Sequence, residues 1–147
     1  MMVVIRIKGL VGLDKKREET LKRLRLRKKY SAVILQEKEN IVGMIKKVGN
    51  CVAYGKIDEP TLYLLIEKRG KLVGNKPIKK EDIEKIVKEL TSGKELKDIK
   101  IKDIEIKPFF RLHPPIGGFK KSTKKAFPKG VLGNQKEKIN ELLKRML

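Results

Sequence analysis

An α+β fold is what the first 57 residues of this 147-residue chain predict: a small β-α-β-α-β sandwich whose three-stranded sheet carries two helices on one face. Three observations carry that expectation. Short apolar, β-branched runs recur. Segments with apolar residues at helical spacing lie between them. Turn and cap signals mark the junctions, and no internal repeat is visible.

Val3 to Lys8 alternates around the charged Arg6 and Lys8 and predicts the first strand. Gly9 and Gly12 bracket a turn. Asp14 is a good N-cap, with Glu18 and Glu19 in the turns that follow, where the helix dipole favours acids. The helix over 14–25 turns Leu21 and Leu24 inward and leaves a strongly cationic outer face. Tyr30 to Gln36 is the second strand. From Asn40, the residues Ile41, Met44, Ile45 and Val48 fall on one helical stripe, with Lys46 and Lys47 pointing away and Gly49-Asn50 as the stop. Cys51 to Ile57 is the third strand, and Cys51 in it reads as a small core residue, not a nucleophile, because no motif sets a base beside it.

Residues 58–147 read as an extension packed on that core. Asp58-Glu59-Pro60 starts a helix carrying Leu62, Leu65 and Ile66, although TLYLLI also suits a strand. Gly70 to Pro77 is a loop. A helix from Glu81 buries Ile83, Ile86, Val87 and Leu90 and ends at Ser92-Gly93. From Glu95 to Ile106 the pattern fits short extended structure or a docked loop. Phe109 to His113 can add a strand. Asn134 with Glu137 three residues on is a capping-box signature for a closing helix, 134–147, with Ile139, Leu142, Leu143 and Met146 on its apolar face.

Composition narrows the function. The formal net charge is +20, from 38 Lys+Arg against 18 Asp+Glu, which points to a polyanionic partner. No apolar run approaches the ~18 residues that span a bilayer, and Arg6 and Lys8 break the N-terminal stretch as a signal peptide, so no membrane is expected. One cysteine excludes an internal disulfide and a Cys-rich zinc site and fits the cytosol. Abundant Lys, Glu and Ile with few Asn and Gln suit a source that grows hot. Residues 107–130 hold seven Lys/Arg, no acid and every phenylalanine of the chain, Phe109, Phe110, Phe119 and Phe127. Its prolines and glycines exclude helix over most of its length. Cations interleaved with aromatics on such a backbone suit irregular RNA, and the plain alternative is a basic surface loop.

No catalytic constellation is legible. The sole histidine, His113, lacks carboxylate partners for a metal and a Ser or Cys to activate. The Gly49 to Gly55 stretch before Lys56 has the wrong spacing for a phosphate loop, and Ile57 stands where Ser/Thr is required. Gly9 to Gly12 has the GxxG form of KH domains but joins a strand to a helix. We expect no enzyme, no metal, no cofactor and no small-molecule substrate.

Two stretches carry a family resemblance. SAVILQEKENIVGMIKKVGNCVAYGKI, within residues 1–57, resembles the L-thirty family of large-subunit ribosomal proteins. FRLHPPIGGFKKSTKKAF and GNQKEKINELLKRML are similar to the added C-terminal part of its long archaeal and eukaryotic members. One departure is Ile116, where members often carry arginine between the proline and the two glycines. The resemblance implies a ferredoxin-like sheet, a place in the large ribosomal subunit in the cytoplasm, neighbouring ribosomal proteins, and contact with large-subunit rRNA and with 5S rRNA. A free-standing RNA- or DNA-binding protein, such as an RNA chaperone or nucleoid protein, shares the charge and is the alternative. The residues expected to meet RNA form two surfaces. The first comprises Arg6, Lys8, Lys15, Lys16, Arg17, Arg23, Arg25, Arg27, Lys28 and Lys29, with Lys46 and Lys47. The second comprises Arg111, His113, Gly117, Gly118, Lys120, Lys121, Lys124, Lys125 and Lys129.

Overall fold

Strand β1 (Met2–Arg6) is buried along its whole length and organises everything around it. A computed structural model describes residues 1–9, 12–95, 98–101, 103–119, 121–127 and 129–147. After β1 come α1 (Lys15–Arg23), β2 (Ser31–Leu35), α2 (Glu39–Lys47) and β3 (Val52–Lys56), the predicted alternation with slightly shorter elements. Then follow α3 (Glu59–Arg69), α4 (Lys80–Thr91), the short strands β4 (Lys100–Ile101), β5 (Ile104–Glu105) and β6 (Phe110–Arg111), then β7 (Ser122–Ala126), β8 (Gly130–Asn134) and α5 (Ile139–Met146). No helix among the described residues is long and apolar enough to cross a membrane.

The α+β class holds, but the sheet is larger than three strands. It has six, in the order β6-β2-β1-β3-β8-β7, and is mixed. β1 pairs antiparallel with β2 (Val3 opposite Ile34) and with β3 (Val3 opposite Gly55), while β8 runs parallel to β3. β6 adds to the far edge through Ala32 and Phe110. β6 falls where Phe109 to His113 suggested a strand; β8 and β7 escaped the sequence reading because β8 carries Gly130 and Gly133, which strands disfavour, and because β7 is SerThrLysLysAla, polar on every side.

Alternate side chains of a strand point to opposite faces. Met2, Val4, Val33 and Val52 therefore share one face with Leu21, Leu24, Ile45 and Val48 of α1 and α2 and their ends, as predicted. Val3, Ile5, Ala32, Ile34 and Ala53 share the other, and there the extension covers them: Leu62 and Leu65 of α3, Ile83 and Ile86 of α4, and Ile139 and Leu143 of α5. The sheet thus lies between two helical layers. Unbroken Val3-Val4-Ile5 is the sequence mark of a strand buried on both faces.

Local chemistry sets the helix ends. Asp14 accepts from the Arg17 N–H at 3.1 Å and opens α1. Asp58 accepts from the Thr61 N–H at 2.8 Å, ahead of Pro60, which settles TLYLLI as helix. Burial alone would raise the Asp58 carboxyl, but its hydrogen bonding to Thr61 and the Lys144 charge win and hold it below the ordinary range. The region after α4 contains extended structure, the pair β4–β5, with Ile106 bridged to Leu72. The capping-box reading of Asn134 needs correction. Its side chain accepts from the Lys136 N–H at 2.9 Å and closes a 3-10 turn over Lys136–Lys138, so α5 begins only at Ile139, without a side-chain cap.

Asn140 on α5 stitches the extension to the sheet. Its Oδ1 accepts from the Asp58 N–H at 3.0 Å, and its Nδ2 donates to the Lys56 carbonyl at 3.1 Å and the Glu137 carbonyl at 2.8 Å. Leucine there would fill similar space but leave buried backbone groups unpaired. Asn140→Leu is expected to lower stability by about 2–3 kcal/mol, read by urea unfolding; a midpoint within error of the parent would refute this role.

Candidate nucleic-acid interface

The first predicted surface is displayed by α1, the loop after it and the end of α2. Lys15, Lys16, Arg17 and Arg23 are exposed on α1; Arg25, Arg27, Lys28 and Lys29 are exposed on the α1–β2 loop; Lys46 and Lys47 are exposed in the last turn of α2. Local carboxylates engage some α1 cations, as Glu18–Lys22 at 3.5 Å and Glu19–Arg23 at 3.8 Å. The loop cations Arg25, Arg27, Lys28 and Lys29 have no such carboxylate partner among the described residues. A shallow hollow brings Lys47 of α2 to Lys16, Arg17 and Arg23 of α1, with Asp14 and Glu19 on its rim.

Arg6 does not belong to that surface. It is 1% exposed; its Nε donates to the Lys8 carbonyl at 2.9 Å and one terminal nitrogen donates to the Leu26 carbonyl at 2.8 Å. The other terminal nitrogen is buried without a partner, and burial pulls the guanidinium's pKa down against the opposite pull of Cys51 and Glu18. The cause is strand parity: Arg6 falls on the α1/α2 face with Met2 and Val4. It ties the end of β1 to the loop after α1, so it shapes the surface without touching a partner. Cys51 is buried as expected, with burial raising its thiol.

The loop after α1 is held in an uncommon backbone. Arg25 and Tyr30 have φ of 66° and 65°, in the left-handed region that costs side-chain-bearing residues about 1–3 kcal/mol. Between them sit Arg27, Lys28 and Lys29, projected together. The Tyr30 carbonyl accepts from the Leu112 N–H at 3.0 Å, and its ring meets Phe119 at 6.2 Å between centroids.

The second surface starts on β6. The exposed Arg111 guanidinium lies over the half-buried Phe109 ring at 5.2 Å. His113 and Ile116 are exposed, but their backbone N–H groups donate to the Met146 and Arg145 carbonyls, each at 3.0 Å, at the end of α5. The Arg145 guanidinium returns to the Ile116 and Gly118 carbonyls. Gly117 and Gly118 have φ of 78° and 75°, which explains glycine at both. Lys121, Lys124, Lys125 and Lys129 are exposed; Lys120 lies outside the described residues.

The two surfaces meet. Lys8 and Lys29 from the first, with Tyr30, face Phe119, Thr123 and Lys124 from the second across one hollow that no carboxylate lines. Sequence reasoning missed Tyr30, although it directly follows ArgLysLys, and missed Arg145, whose clamp on the glycine turn has no local signal. The phenylalanines divide: Phe110 is core at 1% exposure, while Phe109, Phe119 and Phe127 are half-buried. Among the described residues no group of His, Cys, Asp and Glu is placed to hold a metal ion.

Comparison with known proteins gives the family. The family pattern described as Ribosomal protein L30p/L7e matches residues 2–52. The large ribosomal subunit protein uL30 of Methanococcus maripaludis strain S2 is 44% identical, covering 98% of this chain and 97% of its own. Those of Staphylothermus marinus and Archaeoglobus fulgidus are each 40% identical, covering 100% and 99% of this chain and 98% and 99% of their own. With such identity sustained over the extension as well as over the first three strands, the chain belongs to the uL30 family of ribosomal proteins, L30p/L7e, in its full-length archaeal form.

Proposed function

We propose that this protein is a structural part of the large ribosomal subunit and binds its rRNA through one continuous basic surface. Residues 1–57 supply the α1, α2 and loop cations, and residues 58–147 supply Arg111 and the cations from Lys121 to Lys129. The observation that carries the reading is the hollow where Lys8, Lys29 and Lys124 converge beside Tyr30 and Phe119 without a carboxylate. Three ammonium groups around an aromatic floor suit phosphates that flank an exposed base, and neutralised phosphates release counterions. The uL30 family is a ribosomal-protein family and not an enzyme family, which fits the absence of any legible catalytic motif.

The finer proposal is that the partners are large-subunit rRNA together with 5S rRNA and adjacent ribosomal proteins. His113, Gly117 and Gly118 belong to the same surface: their turn is hydrogen-bonded to the end of α5 and offers close backbone approach. Changing Lys8, Lys29 and Lys124 to glutamine together is expected to reduce the log–log salt slope of rRNA binding by about 2–3, at about 0.7–0.9 per contact. Filter binding to transcripts of large-subunit rRNA and of 5S rRNA, across a salt series, measures it. An unchanged slope on both transcripts would sink the surface; a changed slope on the large transcript alone would remove 5S from the proposal.

A further inference from the structure

A second hollow lies between β7, β8 and α5, and it adjoins the surface described above through Phe119 and Lys121. Half-buried Phe119 and Phe127 wall it. The Lys121 and Lys138 ammonium groups stand 4.8 and 5.7 Å from the centroid of the Phe127 ring. Gln135, only 5% exposed, also lines it. Its Nε2 donates to the Val131 carbonyl at 2.6 Å. A carbonyl cannot donate, so that bond fixes which end of the amide points where. No donor among the described residues reaches the Oε1, and solvent does, so it is an open acceptor. Glu141 is the one carboxylate on the rim, against Lys121, Lys138 and Arg145.

We propose that this hollow receives the base of one unpaired nucleotide, and that it favours a base with an exocyclic amino group. The aromatic rings supply a stacking surface for any base once the Lys121 and Lys138 ammonium groups over Phe127 swing to the flanking phosphates. The net positive rim suits the phosphates on either side of the flipped base. The Gln135 Oε1 accepts from an amino group, such as that of cytosine, and meets a second acceptor when uracil presents its carbonyl there. An aromatic slot with a free acceptor would be a poor seat for a peptide carboxylate, and its walls are too cationic for a lysine-rich ribosomal tail. This inference rests on the rRNA-binding reading and names a subsite within it.

The test uses the full-length protein and labelled twelve-residue oligonucleotides of cytidine or uridine, followed by fluorescence anisotropy over a salt series. We expect oligo(C) to bind on the order of tenfold more tightly than oligo(U). Phe127→Leu should weaken both on the order of tenfold with the salt slope unchanged, because no cation is lost. Phe127→Tyr keeps the ring and should keep the affinity. A measurement on the unaltered protein guards against variants that fail to fold: an oligonucleotide carrying 5-iodocytidine, irradiated in the complex, should cross-link to Phe127, which lines this hollow and not the first. Equal binding of oligo(C) and oligo(U) with cross-links confined to the Lys8, Lys29 and Lys124 region would overturn the inference and leave rRNA binding standing. No binding of the unaltered protein to either oligonucleotide or to rRNA transcripts would overturn both.

Discussion

Phe110→Ala is expected to lower stability by about 3–5 kcal/mol and the melting temperature on the order of 10 °C. Phe110 is 1% exposed and packs on the face of the sheet that holds Val3, Ile5 and Ala32. It sits opposite Ala32 at the join of β6 to β2, so its loss leaves a cavity where the sheet's edge strand is attached. The residue also lies in the most basic part of the chain, where an aromatic side chain invites a base-stacking role. The two roles separate cleanly in measurement. A core anchor moves the melt, whereas a stacking ring moves RNA affinity and leaves the melt in place. A melting temperature within about 2 °C of the parent, well under the shift that this loss implies, would show that the ring is not an anchor.

Gly55→Ala is expected to destabilise by about 1–3 kcal/mol or more, against the usual direction for this exchange. Within a strand, glycine is commonly weaker than alanine by roughly 0.5–1 kcal/mol. Here a Cβ would collide with the Lys136 carbonyl oxygen and come within 2.9 Å of Ile139 Cγ2. The obstructing oxygen belongs to backbone in the 3-10 turn, fixed by the Asn134 side chain at 2.9 Å, and cannot swing aside as a side chain would. The steric term therefore exceeds the entropic gain. Faster hydrogen exchange over 139–146 together with a lower urea midpoint would confirm it. A midpoint equal to or above the parent's would mean that α5 can ride outward freely.

These two sites show where sequence reasoning works and where it stops. The β-α-β-α-β order was legible because each element carries its own period and cap, as with Asp14 before α1 and the Ile41–Ile45–Val48 stripe of α2. The second helical layer was legible as helices, through Ile83, Ile86 and Leu90, but its docking face was not, since packing across the sheet is non-local. β8 was invisible for a related reason: glycines weaken its local signal, and its partner β3 lies far back in the chain. At the candidate interface, the cations singled out by charge between Lys15 and Lys129 are exposed wherever they are described. Charge misplaced Arg6 because composition is blind to strand parity: one residue earlier or later, that side chain would point to a different layer. It also missed Tyr30, whose place beside Phe119 goes with a left-handed backbone angle that leaves no pattern in one dimension.

The double covering of β1 has a temporal side. A ribosome delivers this polypeptide from the amino end, so the strand destined for the deepest position emerges before every helix that covers it, and α5 is the last of those helices. Until then Val3, Ile5 and Ala53 rest only against α3 and α4 on that side, and the places of Ile139, Leu142, Leu143 and Met146 stay empty. Closure of the layer over β1 therefore waits for α5, the covering element farthest from it along the chain.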